Sequence, residues 1–373
     1  MGPLDGFKII EIAGIGPGQL AGMLLADMGA SLIRIDRPFD AEVGFTIDPR
    51  FDILNRSRPI IGVDLKTKKG AALVLDLCED ADAIFEGFRP GVMERFGLGP
   101  EECMQRNPKL VYGRVTGWGQ DGPLAKAAGH DPNYVALSGV FAAIGEKGGD
   151  PVYPLNLIAD MGGGGAYLVM GMLAALLETG KSGKGQVIDA AMVDGAASLM
   201  TMIHGFLAAG AWKEERGSNI LDGGTPFARN YRTLDDKHIV IAPIENRFFK
   251  VLLNKLEMDD FDPADQYEES RWGELQSRFE KVFRTRTRDA WCEIFEGTDA
   301  CFTPILGMSE AMEHPHLRAR GTFVSVDGVK QAAPAPRFSR TCSEICRAAG
   351  PAETDIRSVL EQWGASEKAL QRF

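Results

Sequence analysis

Positive charge is in short supply in this 373-residue sequence: 41 Lys and Arg stand against 52 Asp and Glu, giving a formal net charge of −11 and a pI near 5.1. No Lys/Arg run forms a basic arm, so a phosphate polymer meets no attracting field and nucleic acid is not an expected partner. Cysteine is also scarce. Cys78, Cys103, Cys292, Cys301, Cys342 and Cys346 are scattered, with neither the paired spacing of a zinc site nor the density of a disulfide framework. They predict reduced thiols in a reducing compartment. Long apolar runs are missing too: the most apolar stretch, roughly residues 167–177, is shorter than a bilayer span and reads as a buried helix. At the start, Met1-Gly2-Pro3-Leu4-Asp5 runs within a few residues into an apparent strand, without the charged, apolar and cleavage regions of a secretory signal. Leu370-Gln371-Arg372-Phe373 matches no peroxisomal or retention signal. A cytoplasmic location with no membrane partner is therefore expected.

What is present is ordinary globular composition, 45% hydrophobic and 25% charged, which buries a sizeable core, at a length that favours two domains. Short apolar runs at 7–12, 31–36, 60–63, 83–86 and 110–115 alternate with helical patterns at 19–28 and 70–78. This rhythm predicts an α/β domain with an open, mostly parallel sheet. Helical tracts are expected near 133–143 and at 166–178, and residues 186–189 lead into a helix that lasts to about 209. The basic turn 180–185 lacks the spacing of a phosphate-binding loop. The stretch 211–224 reads as a linker between a large domain, residues 1–210, and a small α+β domain, residues 225–325; residues 326–373 return to complete the first. Within the small domain, 228–233 and 238–242 flank Asp235-Asp236 as a hairpin, with helices at 247–256 and 288–295 and a strand at 302–306. Pro334 and Pro336 hold the chain extended before a last helix at 354–363.

Several residues stand out chemically, each beside a plainer role. Gly16-Pro17-Gly18-Gln19-Leu20-Ala21 fits the spacing of a dinucleotide-binding turn, with Asp36 closing the next strand, but glycines also let a helix pack on a sheet. Arg37 and Arg89 stand at strand ends, each before a proline, where a guanidinium grips a phosphate or simply faces solvent. His130, one of five histidines, opens a helix in Gly129-His130-Asp131-Pro132-Asn133-Tyr134. Its residue type suits proton transfer near neutrality, or it is an ordinary loop histidine. Asp160 precedes four glycines, residues 162–165; it is either a site carboxylate set against unpaired helix donors or a plain helix N-cap. Glu245 follows an apolar strand and opens a helix, where its charge suits the helix dipole. Met161, Met192, Met200 and Met202 suit an adaptable pocket lining or core packing.

Together these segments resemble the α-methylacyl-CoA racemases of the family III CoA-transferase group. The likeness runs through Arg34-Ile35-Asp36-Arg37-Pro38, Val63-Asp64-Leu65-Lys66, Phe88-Arg89-Pro90-Gly91-Val92 and Gly129-His130-Asp131. It continues through Leu155-Asn156-Leu157-Ile158-Ala159-Asp160 with its glycines, Gly183-Lys184-Gly185-Gln186-Val187-Ile188-Asp189-Ala190, Leu221-Asp222-Gly223-Gly224, and Gly297-Thr298-Asp299-Ala300-Cys301. The resemblance implies a catalytic His130, a catalytic Asp160, and Glu245 as the partner of His130. It also implies coenzyme A contacts from Arg37, Val63, Asp64, Leu65, Lys66, Arg89, Gly129, Asp131, Pro132, Asn133 and Tyr134. The implied fold is a Rossmann-like large domain that binds no nicotinamide, joined to the small α+β domain in an interlocked homodimer.

The chemistry implied is epimerisation of the α-carbon of a 2-methylacyl-CoA thioester by 1,1-proton transfer through an enolate. One group removes the proton, a second and protonated group delivers one to the opposite face, and donors hold the enolate oxygen. His130 and Asp160 fill the first two roles, and the glycines after Asp160 or nearby backbone amides are candidate donors. No metal or further cofactor is expected, coenzyme A being part of the substrate. The alternative is a CoA-transferase in which Asp160 attacks the thioester and passes through an anhydride. A dinucleotide-dependent dehydrogenase and a non-catalytic CoA-binding homologue are the more distant readings.

Overall fold

The computed structural model describes residues 2–38 and 47–372. The chain forms two compact units. The first comprises Met1–Gly139, Pro154–Met200 and Gly321–Phe373; the second comprises Val140–Tyr153 and Thr201–Arg320. The stretch 211–224 that reads as a linker falls within the second unit.

The first unit is built on β1 (Lys8–Ile12), α1 (Pro17–Asp27), β2 (Ser31–Asp36), β3 (Ile60–Gly62), α2 (Lys68–Asp80), β4 (Ala83–Glu86), β5 (Val111–Thr116), α3 (Asp131–Leu137), α4 (Tyr167–Ser182), β6 (Val187–Ala191) and α5 (Met192–Leu199). All strand pairs are parallel and the sheet order is β3-β2-β1-β4-β5-β6. This is a doubly wound sheet, and its order reverses between β1 and β4, so a crevice opens beyond the C-terminal ends of those two strands. Apolar cores cover both faces. Ile10, Ile33, Ile61 and Ile84 belong to one, with Leu73 and Leu77 of α2; Ile9, Leu32, Phe85 and Val111 belong to the other, with Leu168 and Met172 of α4. Burial on both faces explains why the central strands read as nearly continuous apolar runs.

The segment before α4 departs from the sequence reading. Leu157–Ala166 is a π-helix with Asn156 as its N-cap, continuous with α4. Asp160 is therefore not a helix cap, and its glycines do not precede a helix N-terminus: they lie inside a helix. A Cβ at Gly163 would stand 2.7 Å from the Ala196 amide nitrogen, one at Gly164 3.0 Å from Pro17 Cβ, and one at Gly165 2.9 Å from the Pro17 carbonyl. Four small residues thus let α1 and α5 approach the π-helical backbone more closely than side chains permit, which outweighs glycine's poor helix propensity. The continuous helix Leu157–Ser182 is 26 residues long and, by length and composition alone, meets the requirement of a membrane span that the shorter stretch 167–177 does not. Leu168, Val169, Met172, Ala175 and Leu176 bury one side of α4.

The second unit carries a three-stranded antiparallel sheet of β7 (Arg229–Arg232), β8 (His238–Ile241) and β9 (Phe302–Ile305), in the order β7-β8-β9. Against it lie α6 (Asn246–Lys255), α7 (Glu269–Phe283) and α8 (Arg288–Phe295), around a core rich in aromatics: Phe227, Phe249, Phe279, Phe283, Trp291 and Phe295. Returning to the first unit, the chain forms an antiparallel pair, β10 (Phe323–Val326) and β11 (Val329–Ala332). It continues into α9 (Ile356–Trp363), whose Leu360 and Trp363 enter the sheet core, and a short helix, Glu367–Leu370, follows.

Candidate active site

The C-terminal ends of β1 and β4 and the loop after β5 frame the site. β1 gives way to the glycine-rich turn, where Gly16 holds φ 65° and ψ −106°. That is a conformation open to glycine and costly to side chains. A Cβ there would meet Asp160 Oδ2 at 3.0 Å, so this turn backs onto the Asp160 carboxyl.

A buried ionic cluster braces the turn. Glu11, fully buried in β1, receives Arg34 through Nη1 and Arg58 Nε at 2.6 Å. Arg34 Nη2 donates to the Gly14 carbonyl at 2.9 Å, and Arg58 Nη2 to the Gln19 carbonyl at 3.1 Å. The Gln19 side chain accepts from the Gly16 amide at 3.1 Å. Sequence reasoning did not single out Glu11, Arg34 or Arg58; the signal was a charge within each apolar strand and a third just before β3.

The second wall is α3. His130 is its N-cap: its carbonyl accepts from the Asn133 amide, and its own amide donates to Asn133 Oδ1 at 3.0 Å. The imidazole is solvent-facing and makes no hydrogen bond among the described residues. Asp131 turns inward, only 3% exposed. Its Oδ2 accepts from the backbone amides of Ala159 at 3.0 Å and Asp160 at 2.8 Å. The start of α3 and the start of the π-helical segment are thereby joined directly.

Tyr134 of α3 is held by two glycines, because a Cβ at Gly117 would stand 2.3 Å from its hydroxyl and one at Gly129 2.7 Å from its ring. Trp118 packs edge-on at 4.7 Å. The Tyr134 hydroxyl has no hydrogen-bond partner among the described residues. Its acidity is lowered first by burial and then by the negative charge of Asp160, against a pull from Arg89.

Asp160 is half-buried, and burial raises its carboxyl above the ordinary range. A hydrogen bond from Asn156 Nδ2 at 3.2 Å opposes the shift, the Asp131 charge adds to it, and His130 draws it down. The structure thus brings His130, Asp131, Tyr134 and Asp160 into one cluster, with Arg89 exposed after β4 and near enough to act on Tyr134. The glycines 162–165 are occupied in helix packing and are no cradle for an oxyanion.

The remaining expected contacts lie along the same edge of the sheet. Arg37 is exposed after β2. Val63 and Asp64, after β3, line a cavity of about 130 Å³ together with Thr67, Lys69, Gly70 and Arg372. In the second unit, Glu245 is exposed as the N-cap of α6. Its charge, after burial, raises both the Tyr267 phenol and the Cys301 thiol.

Glu86, another residue missed by sequence reasoning, ends β4. It accepts from the Phe88 amide at 2.6 Å and from Arg114 Nε at 3.0 Å, and burial pushes its carboxyl up to about 7 despite both partners.

The family described as CoA-transferase family III matches residues 4–355. A mouse (Mus musculus) α-methylacyl-CoA racemase is 41% identical over 370 residues, 98% of this chain and 95% of the relative. A human (Homo sapiens) succinyl-CoA:glutarate CoA-transferase is 26% identical over 356 residues, 91% and 81% of the two chains. Among solved structures, a CAIB/BAIF family protein from Brucella suis is similar with a TM-score of 0.80 at 25% identity, covering 97% of this chain and 99% of that one.

Proposed function

This chain belongs to CoA-transferase family III, and within that family we propose that it is an α-methylacyl-CoA racemase, an isomerase acting on 2-methylacyl-CoA thioesters. The observation that carries the reading is the joining of two unlike proton-transfer groups, an exposed His130 and a half-buried Asp160 with a raised carboxyl, through the Asp131 bridge. Inversion needs both. One group takes the α-hydrogen as a proton, the C–H electron pair moves into the carbon–carbon bond, and the carbonyl π pair passes to the thioester oxygen. The other group then returns a proton to the opposite face as the carbonyl re-forms. A carboxyl raised by burial retains a larger protonated fraction near neutrality, which suits its turn as the acid.

The free Tyr134 hydroxyl is the donor we assign to the enolate oxygen, in place of the glycines. Coenzyme A lies along the C-terminal edge of the sheet, with Arg37 and Arg89 toward its phosphates and the cavity beside Val63 and Asp64 taking part of it. Glu245 fixes the orientation of His130, contributed by a second copy in an interlocked homodimer. The exposed apolar residues Met170 and Leu177 of α4, at 58% and 71%, and Leu199 of α5 support such a covering partner. The reaction as written is proton transfer alone and calls for no redox cofactor.

The CoA-transferase reading is favoured by the relatives that bear that name and would use Asp160 as nucleophile. One experiment separates the two. A single 2-methylacyl-CoA epimer in deuterated buffer is expected to gain deuterium at the α-carbon and lose stereochemical purity. Transfer of coenzyme A to a free acid, with no α-deuterium, overturns the racemase proposal.

A further inference from the structure

The Asp131 side chain does more than a helix start requires. Its Oδ2 caps the amides of Ala159 and Asp160, 28 and 29 positions further along the chain, while its Oδ1 is buried with no hydrogen-bond partner among the described residues. Leaving a carboxylate oxygen unpaired in the interior is costly. A neutral asparagine would accept from the same two amides through its own oxygen and leave an uncharged amide group unpaired instead, which costs less than an unpaired carboxylate oxygen, so the clamp alone does not account for a carboxylate here.

What asparagine would lack is the charge, and among the described residues the charged groups facing Asp160 are few. Asp131 and His130 face it from α3 and its lead-in, with the Tyr134 phenol beside them. Asn156 of its own segment adds a neutral hydrogen bond, and Gly16 of the β1–α1 turn brings no side chain.

We infer that Asp131 is a positioning residue acting through Asp160: it clamps the opening of the π-helical segment to the first turn of α3 and holds its negative charge against the Asp160 carboxyl. The clamp fixes where the Asp160 side chain starts, since the bonded amide is that residue's own. The charge favours the protonated carboxyl, the form Asp160 needs when it acts as the acid. This inference rests on the racemase reading for its readout.

The test is the pH dependence of α-proton exchange by the wild type and Asp131→Asn, with Asp160→Asn identifying the limb that belongs to Asp160. In Asp131→Asn that limb is expected to move to lower pH, because a negative neighbour has gone. Asp131→Ala also removes the clamp, and its kcat is expected to fall by up to roughly 10²-fold, the scale of a 1 Å misplacement. Should Asp131→Asn not fold, Asp131→Ser is a second neutral acceptor suited to capping amides, and the same downward shift is expected of it. An unmoved limb in a folded, active neutral variant overturns the inference. Wild type that shows no exchange at all overturns the racemase reading instead, so the two failures are distinguishable.

Discussion

Gly16 and Gly18 lie two positions apart in one glycine-rich turn, yet replacing each by alanine is expected to have opposite consequences. Gly16 combines φ 65° with ψ −106°, outside the regions open to a side chain, which costs roughly 1–3 kcal/mol for alanine. Its added methyl would also stand 3.0 Å from Asp160 Oδ2 and 3.5 Å from Cγ, so the carboxyl must retreat by a few tenths of an ångström. At roughly 2–4 °C per kcal/mol, the strain lowers the melting temperature by about 2–12 °C. If 1 Å of misplacement costs about 10²-fold in rate, this smaller retreat reduces α-proton exchange by a few-fold. Gly18, the second residue of α1, has no positive φ and nothing within 4 Å of a new Cβ. Alanine there gains up to about 1 kcal/mol from helix propensity and leaves exchange intact. Thermal unfolding and deuterium exchange on both variants decide the matter. If the two behave alike in both measurements, the contact between the turn and Asp160 is not what shapes the site. Loss of function confined to Gly18→Ala would instead favour a turn that cradles a ligand phosphate.

Two further predictions concern the charges beneath the site. Glu11→Gln leaves the buried Arg34 and Arg58 without their shared counter-charge and is expected to cost about 3–5 kcal/mol in urea unfolding. Lys213→Ala, which breaks the exposed 3.0 Å pair with Glu269, should cost less than about 1 kcal/mol, and equal costs would refute the assignment. For Glu86, burial raises the folded-state value from 4.5 to about 7, so the folded chain binds this proton more tightly than the unfolded one. Its contribution is complete below about pH 4.5 and is lost as pH rises through about 7, on the order of 3 kcal/mol in all. Glu86→Gln should flatten that part of the stability–pH curve measured by thermal unfolding at constant ionic strength, and an unchanged slope would count against it.

The parallel sheet was legible because strands buried on both faces must be apolar at nearly every position, as in Ile9, Ile10 and Ile12 or Leu32, Ile33 and Ile35. The π-helical segment was not, because four glycines argue against a helix until α1 and α5 are seen packed on them, and that packing is a tertiary fact. Asp131 stood in plain view beside His130, but its bonding partners lie nearly thirty residues away, beyond any local pattern. Two omissions did have local signals. Trp272, Leu275, Phe279 and Phe283 recur at helical spacing along α7. Asp327-Gly328, with φ 48° and 78°, is the two-residue turn that joins β10 to β11. The ionic cluster at Glu11 was hidden by its residue types, since a charge in an apolar strand announces an exception without naming its partners.

The closing segment of the chain bears on how the first unit is made. Trp363 Nε1 donates to the Ser31 carbonyl at 2.8 Å, the Glu353 amide to the Ile60 carbonyl at 2.7 Å, and the Ser57 amide to the Arg347 carbonyl at 3.0 Å. Leu360, Trp363 and Leu370 fill the same core as Ile33 and Ile61. On a ribosome, β1, β2 and β3 emerge well before part of the layer that covers them. The nascent sheet must wait for it through the synthesis of nearly three hundred further residues, its apolar edge beside β3 open to chaperones or to neighbouring chains in the meantime. The second unit, with its largest segment continuous from Thr201 to Arg320, is under no such delay, so strands that emerge before it are completed only after it.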